Sequence, residues 1–282
     1  MTTFSIKILA LICMVIDHIG LFFPDTPIWY RYIGRISAPL FIFCMVIGFS
    51  YTRNRKVYLL RMYLFGLGMS VLDYILNYFS KGDLVTNNIF VTLFSIAIII
   101  QLIEYIREKH RKWIIYLLCY CVWQIVSLLI CYYIDMHYDK LVYLFMGLLG
   151  NLFYNEGGFI FVFLGVLLYF IKDKKKFITI YYSLFCFSYA FITMAGIVPR
   201  IMSKLDYYDY NIFYNIFGFI FPLLGFNIIG INKNSIQWMM IGALPFMLLY
   251  NGEKGKSIKY LFYIFYPAHI LILFILSNII LK

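Results

Sequence analysis

Asp17 and His18 stand side by side near the end of one apolar run, KILALICMVIDHIGLFF, and His269 closes the tract FYIFYPAH in the last one. An imidazole titrates near neutrality. It can take a proton from an attacking amine or hydroxyl, or carry an acyl group itself. An ionisable group inside a bilayer is expensive, about 2.5–3.5 kcal/mol for an aspartate at a helix centre on insertion scales. A chain that keeps such groups turns them toward a cavity or a partner helix. Neighbours on a helix point about 100° apart, so Asp17 and His18 form a dyad only if a rotation brings them into reach. The bland alternative is that each imidazole bonds a neighbouring helix and does nothing more.

Arg35 lies between Gly34 and Pro39 where the second apolar run opens. It is a candidate donor to an anion or to a developing oxyanion, whereas Arg31 needs no more than the headgroup region. The densest basic cluster, TRNRKVYLLR, holds Arg53, Arg55, Tyr58 and Arg61. Arginine forks match phosphate oxygens in pairs, and the loop residues Arg53 and Arg55 could converge with Arg61 on one phosphate group. A plain cytoplasmic anchor explains the same residues. Lesser candidates are Asp73 as an arginine partner, Asn88 and Thr92 one turn apart, Glu156, and the turn at Tyr250-Asn251-Gly252 with Gly255. No GxSxG, Walker loop, GxGxxG or HExxH occurs, so any active site is assembled from dispersed residues.

The elements that must position these groups follow from composition. Of 282 residues, 63% are hydrophobic and 13% charged, against roughly half and a quarter in soluble domains. The chain is an integral, polytopic membrane protein. A net charge of +11 would point to nucleic acid in a soluble protein; here it belongs to loops that orient the chain in a lipid bilayer, and no nucleic-acid partner is expected. The six cysteines lie mainly in apolar runs and form neither CxxC nor a Cys/His ligand spacing, so buried free thiols and no metal are expected. The first run carries Asp17 and His18 and no small-residue cleavage site, which makes it a retained helix.

A spanning helix needs about 20 apolar residues, and the pattern predicts an all-α bundle of about ten transmembrane helices in a single domain over 1–282. They fall near 4–23, 33–51, 57–79, 88–105, 113–134, 142–171, 177–197, 211–231, 235–250 and 260–281. Basic loops at 53–56, 107–112 and 172–176 place the N-terminus in the cytoplasm. Two places resist alternation. The stretch 140–171 is too long for one crossing and is expected to break, or re-enter, at Glu156-Gly157-Gly158. The basic loop 251–256 falls outside if 235–250 spans, unless that segment dips and returns. On this topology His269 enters from the outer face and meets the depth of His18.

The segments DHIGLFFP, YIGRISAPLFIF, GFSYTRNRKVYLLR and YNGEKGKSIKYLFYIFYPAH occur in the order and spacing of the TraX family, and the chain resembles that family from about Lys7 to His269. TraX proteins are inner-membrane acetyltransferases named for N-terminal acetylation of a conjugative pilin, and they resemble the wider group of transmembrane acyltransferases. The resemblance implies acetyl-CoA as acyl donor and His18 as catalytic base. It places His269 and Asp17 at motif positions, and Arg53, Arg55 and Arg61, with Tyr58, where CoA phosphates would be gripped. Arg35 would face the thioester oxygen. The acceptor, a peptide amine or a glycan hydroxyl, is not named by the sequence. Two other readings use the same residues: a proton-coupled transporter or flippase, and a non-catalytic assembly factor for surface appendages.

Overall fold

The computed structural model describes residues 1–80, 88–138, 140–228, 236–256 and 259–280. Every regular element among the described residues is helical. Among the described residues seven helices are long and apolar enough to cross a membrane, and three shorter apolar helices accompany them. The protein is therefore a multi-pass, all-α membrane protein. In chain order, α1 is Thr3–Phe22, α2 Trp29–Gly34, α3 Ser37–Ser50, α4 Arg55–Phe79, α5 Ile89–Arg107, α6 Trp113–His137, α7 Leu141–Leu149 and α8 Gly158–Ile171. After these come α9, Lys175–Tyr207, α10, Asn211–Leu224, and α11, Gln237–Leu248; α12 is Lys259–Ile280. Residues 81–87 between the helices expected at 57–79 and 88–105, the ends of the expected helices at 229–231, 235 and 281, and residue 139 between those expected at 113–134 and 142–171 lie outside the described residues.

Packing divides the chain into two compact units, Met1–Ile47 with Phe170–Lys282, and Gly48–Tyr169. In the first unit the start of α1 is built from both ends of the sequence. Thr2 Oγ1 caps the helix by accepting from the Ser5 amide at 3.2 Å. The amides of Thr3 and Phe4 donate to the carbonyls of Glu253 (2.9 Å) and Lys254 (3.1 Å), and the Asn251 amide donates to the Met1 carbonyl at 3.0 Å. Helix starts leave such amides without intrahelical partners, so the YNGEKG loop completes α1. Gly255 turns the loop in a left-handed conformation, where a Cβ would sit 2.5 Å from Thr2 Oγ1.

This clasp corrects the expected direction of the last helix. Phe262 at the start of α12 lies edge-on to Phe4 (6.3 Å between ring centroids), and Phe22 at the far end of α1 meets Phe274 at 6.4 Å. The two helices run parallel, and α12 enters from the end of α1 that carries the N-terminus, not from the opposite face. The preceding α11 does not dip and return. It runs one way, from Gln237 beside Arg35 (3.2 Å) to a loop whose Asn251 meets Met1. A 3-10 stretch, Gln237–Ala243, leads into a short α-helical turn, Leu244–Leu248, and 3-10 geometry stretches the rise to about 2.0 Å per residue. The basic loop 251–256 thus joins the N-terminal side, which is what the charge bias of such loops calls for. The helix expected at 211–231 ends as helix at Leu224 on Gly225. The Tyr189 hydroxyl of α9 donates to the Gly225 carbonyl at 3.2 Å, which ties the end of α10 to α9, and the 14 residues of α10 fall short of the roughly 20 that a full span needs.

In the second unit Asn54 Oδ1 caps α4 through the Val57 amide at 3.1 Å. The long segment breaks between α7 and α8; the gap ends at the expected Glu156-Gly157-Gly158 but opens earlier, at Gly150, whose left-handed backbone closes α7. Irregular backbone is tolerated at membrane depth only when protein groups satisfy it. Gln124 Oε1 accepts from the Leu152 amide at 2.7 Å, and Asn151 Oδ1 accepts from the amides of Phe153 and Tyr154 at 2.8 and 3.0 Å. The Thr92 hydroxyl donates to the Glu156 carbonyl at 2.8 Å. Outward, α6 exposes Ile115, Leu118, Val122, Ile125 and Leu129, a face suited to lipid tails. All six cysteines are free thiols, four of them buried as expected; Cys119 and Cys121 depart from that and are exposed, on the helix whose apolar face points outward.

Candidate functional site

The parallel run of α1 and α12 brings the two histidines together. His18 Nδ1 lies 2.7 Å from His269 Nε2, with the rings stacked at 4.9 Å. Both side chains are buried, at 4% and 6% exposure. His269 Nδ1 lies 2.9 Å from the Phe265 carbonyl, and a carbonyl only accepts, so Nδ1 carries the proton. In a neutral His269 the other nitrogen, Nε2, is then an acceptor, and His18 Nδ1 must donate to it. The hydrogen-bond chain assigns both tautomers, and it leaves His18 Nε2 as the ring nitrogen with the lone pair. Phe265 stacks on His269 at 5.4 Å and Tyr266 stands edge-on to both imidazoles at 6.3 and 5.6 Å. Pro267 within α12 contributes no amide, which leaves the preceding turn one hydrogen bond short.

Asp17, one residue away, does not orient His18. Arg35 Nη2 donates to both carboxylate oxygens of Asp17 at 2.7 Å. Arg31 Nη1 lies 3.0 Å from Asp17 Oδ1 and donates to the Asp17 backbone carbonyl at 3.0 Å. Arg35 Nη1 continues the chain to Gln237 Oε1 at 3.2 Å. Gly34 makes this possible, because a Cβ there would stand 2.1 Å from Asp17 Oδ1. The GRISAP motif therefore supplies a guanidinium and the space that lets an aspartate reach it. Arg31 is an ion-pair partner rather than a headgroup anchor alone, which its position at the end of a short helix did not reveal. Gln237 is the residue that sequence reasoning passed over; its only signal was a polar side chain opening an apolar run. Arg35, directed at Asp17 and Gln237, keeps its Nε buried without a partner.

In the second unit the basic cluster does not converge. Arg55 pairs with Glu104, donates to Gln101 Oε1 at 3.2 Å and lies over the Phe49 ring at 5.1 Å. The Tyr169 hydroxyl donates to the same Glu104. Arg61 Nε bonds the Val57 carbonyl of its own helix at 3.3 Å, and Arg53 is exposed. The Tyr58 ring meets Phe49 at 5.7 Å. Asp73 is buried within α4, at 2% exposure. Asn88 and Thr92 both turn inward, Asn88 to α4 and Thr92 to the loop before α8.

A family model described as TraX protein matches residues 3–277. A protein of Dichelobacter nodosus described as "Probable fimbrial assembly protein FimC, serogroup H1" is 37% identical over 70 residues, 23% of this chain and 29% of that protein. The chain thus spans under a third of the length of this curated relative. No solved structure matches.

Proposed function

Since the chain belongs to the TraX family, we propose that it is an acyl-CoA-dependent membrane acetyltransferase. It takes an acetyl group from cytoplasmic acetyl-CoA and gives it to an amine or hydroxyl of an acceptor at or across the bacterial inner membrane, with its N-terminus in the cytoplasm. The observation that carries this reading is the buried pair His18–His269, with its assigned proton positions.

The acceptor N–H or O–H gives its proton to His18 Nε2 as it attacks the thioester carbonyl. The C–S bond then breaks, and the departing thiolate takes the proton to become the CoA thiol. His269 acts through His18: its acceptor Nε2 fixes the donating tautomer and receives the Nδ1 proton's charge as the imidazolium forms. An orienting carboxylate does this in serine hydrolases; here a second imidazole, itself held by a carbonyl, takes that place. Asp17 holds Arg31 and Arg35, and the remaining Arg35 Nε–H is the group left to face a developing oxyanion. Arg53 and Arg61, with Tyr58, bind CoA phosphates in this reading, and Arg55 contributes from its pair with Glu104. The family's name and the fimbrial description of the relative favour a pilin-like peptide N-terminus over a glycan as acceptor.

The test is acetyl-CoA hydrolysis or exchange by the purified chain in detergent, wild type against His18→Ala. Turnover that disappears with the imidazole supports the enzyme. Equal turnover in a folded His18→Ala protein, or none in either, removes the proposal and turns attention to proton flux.

A further inference from the structure

In the first unit Gly196 interrupts α9. Its backbone is left-handed (φ 61°) and opens a separate helical stretch, Ile197–Tyr207. Before this break, Ile178–Tyr182 packs against Leu244–Leu248, and Ser183–Met194 packs against Gln237–Ala243. α9 therefore runs opposite to α11, away from the clasp and toward the side where Arg35 lies. Lys175–Met194 alone makes about 30 Å of helix, a full hydrocarbon thickness. Ile197–Tyr207 thus lies at the membrane surface or past it, across the membrane from the loop 251–256.

α10 folds back along this stretch. The buried Met202 reaches Gly218, where a Cβ would lie 3.5 Å from its Cε, and the end of α10 meets Tyr189 at Gly225. No residue of α10 is buried, and none is charged. Phe213, Ile216 and Ile220 recur at the spacing of one helical stripe, on the face turned from Gly218. They are 55%, 47% and 38% exposed. Phe213 stands about 18 Å of helix from Gly225, whereas Tyr189 lies only about 8 Å below Met194. An upright hairpin would hold the start of the stripe in water.

The polar groups show what covers it. On Ile197–Tyr207 the buried Val198 and Met202 take one face. Arg200 and Lys204, one turn apart and exposed, take the other. Asp206 and Asp209 come at the turn, and Tyr207, Tyr208, Tyr210 and Tyr214 surround it, all exposed. Tyrosine gathers at membrane–water interfaces. The two cations stand across the membrane from the basic loop 251–256, so the charge bias that orients loops does not account for them. An apolar stripe beside a basic face and an aromatic rim is the composition of helices that lie in a membrane surface. We infer that residues 197–224 form an interfacial hairpin that lies on the lipid leaflet at the Arg35 side. Phe213, Ile216 and Ile220 enter the acyl boundary, and Arg200 and Lys204 meet lipid phosphates. The inference rests on no part of the acetyl-transfer reading.

The experiment is electron paramagnetic resonance on the full chain in vesicles of phosphatidylethanolamine and phosphatidylglycerol. Phe213→Cys, Ile216→Cys or Ile220→Cys carries a nitroxide in a background without native cysteines. Collisions with oxygen, which enters lipid, are compared with collisions with a water-soluble nickel chelate. All three labels should favour oxygen and sit about 5–10 Å below the phosphates. Arg200→Glu combined with Lys204→Glu should move them toward water. Nickel prevailing at all three positions would leave the hairpin in solvent and overturn the inference. Protection from both reagents would place a second copy or another protein on the stripe and overturn it equally. A depth unchanged by the double charge reversal would remove the lipid phosphates from it. Should the cysteine-free chain fail to fold, Phe213→Trp with the native cysteines kept reads the same depth, from quenching by brominated lipids beyond that of wild type.

Discussion

His18 and His269 are 251 positions apart in sequence, yet their imidazole nitrogens meet at 2.7 Å, and the Phe265 carbonyl behind them fixes which nitrogen donates. The pair has one hydrogen-bonded arrangement when neutral and accepts one further proton without breaking it. A second proton would set two N–H groups against each other.

The first prediction separates the two imidazoles. His18→Ala should lower acetyl-CoA turnover by roughly 10²–10⁴, the usual worth of a general base. His269→Ala should lower kcat while leaving KM for acetyl-CoA near wild type. His269→Gln, whose side-chain oxygen can accept from His18 Nδ1, should recover part of the loss. A merely structural His269 would show no such rescue.

The pH profile carries a sign. Turnover needs the pair neutral, so kcat should rise with pH through one titration and then flatten. A rate that falls as pH rises through that range would contradict a histidine base. A profile that needs two protons lost cooperatively would contradict the single-proton pair.

Asp17 balances two guanidinium groups and so supports the fold more than the chemistry. Asp17→Ala should cost about 3 kcal/mol of stability, as expected when one partner of a largely buried ion pair is removed. Gly34→Ala should also destabilise, because its new methyl falls on the Asp17 carboxylate. Asp17→Ala does not relieve that clash, because the Asp17 Cβ itself would lie 2.2 Å from the new methyl, so the double variant should be less stable than either single one. Thermal unfolding of the two single variants and the double variant would check this.

Arg55 and Arg61 should part company. Arg55→Ala leaves Glu104 and Tyr169 without their cation and should lower Tm. Arg61→Ala, which gives up one bond to its own helix, should leave Tm unchanged and raise KM for acetyl-CoA about tenfold. An unchanged KM would remove Arg61 from the proposed phosphate grip.

The parallel helices predict sidedness. In a background without native cysteines, a thiol placed at Lys254 should react with an impermeant maleimide from the side that exposes a tag on the N-terminus. One placed at Asp25, past the far end of α1, should react from the other side. Labelling of 254 and 25 from one face would refute the clasp between residues 1–4 and 251–254.

Helix positions were legible because their signal is local: runs of apolar residues, and Glu156-Gly157-Gly158 where the long segment breaks. The histidine pair was legible as two costly groups, and their common depth was expected. The path to it was misjudged, because alternation of crossings assumes full spans, and α10 holds only 14 helical residues. Asp17 was left open as a partner of His18 if a rotation brought them together, whereas its partners are Arg31 and Arg35, for which the missing Cβ of Gly34 leaves room. The role of Gln237 could not be read at all. It depends on α11 descending past Arg35, and nothing in the residue's neighbours encodes that.

The division of the chain has a consequence for biogenesis. Residues 48–169 can find most of their partners soon after they leave the ribosome, whereas α1 waits for α12 and the loop before it. Loops of that length close slowly, and unfinished surfaces invite misassembly. Ribosome-held chains stopped before residue 249 should hold α1 in the membrane with Asp17 already paired but His18 and the first amides unsealed, a state that an insertase or membrane chaperone would have to shelter until the last helix arrives.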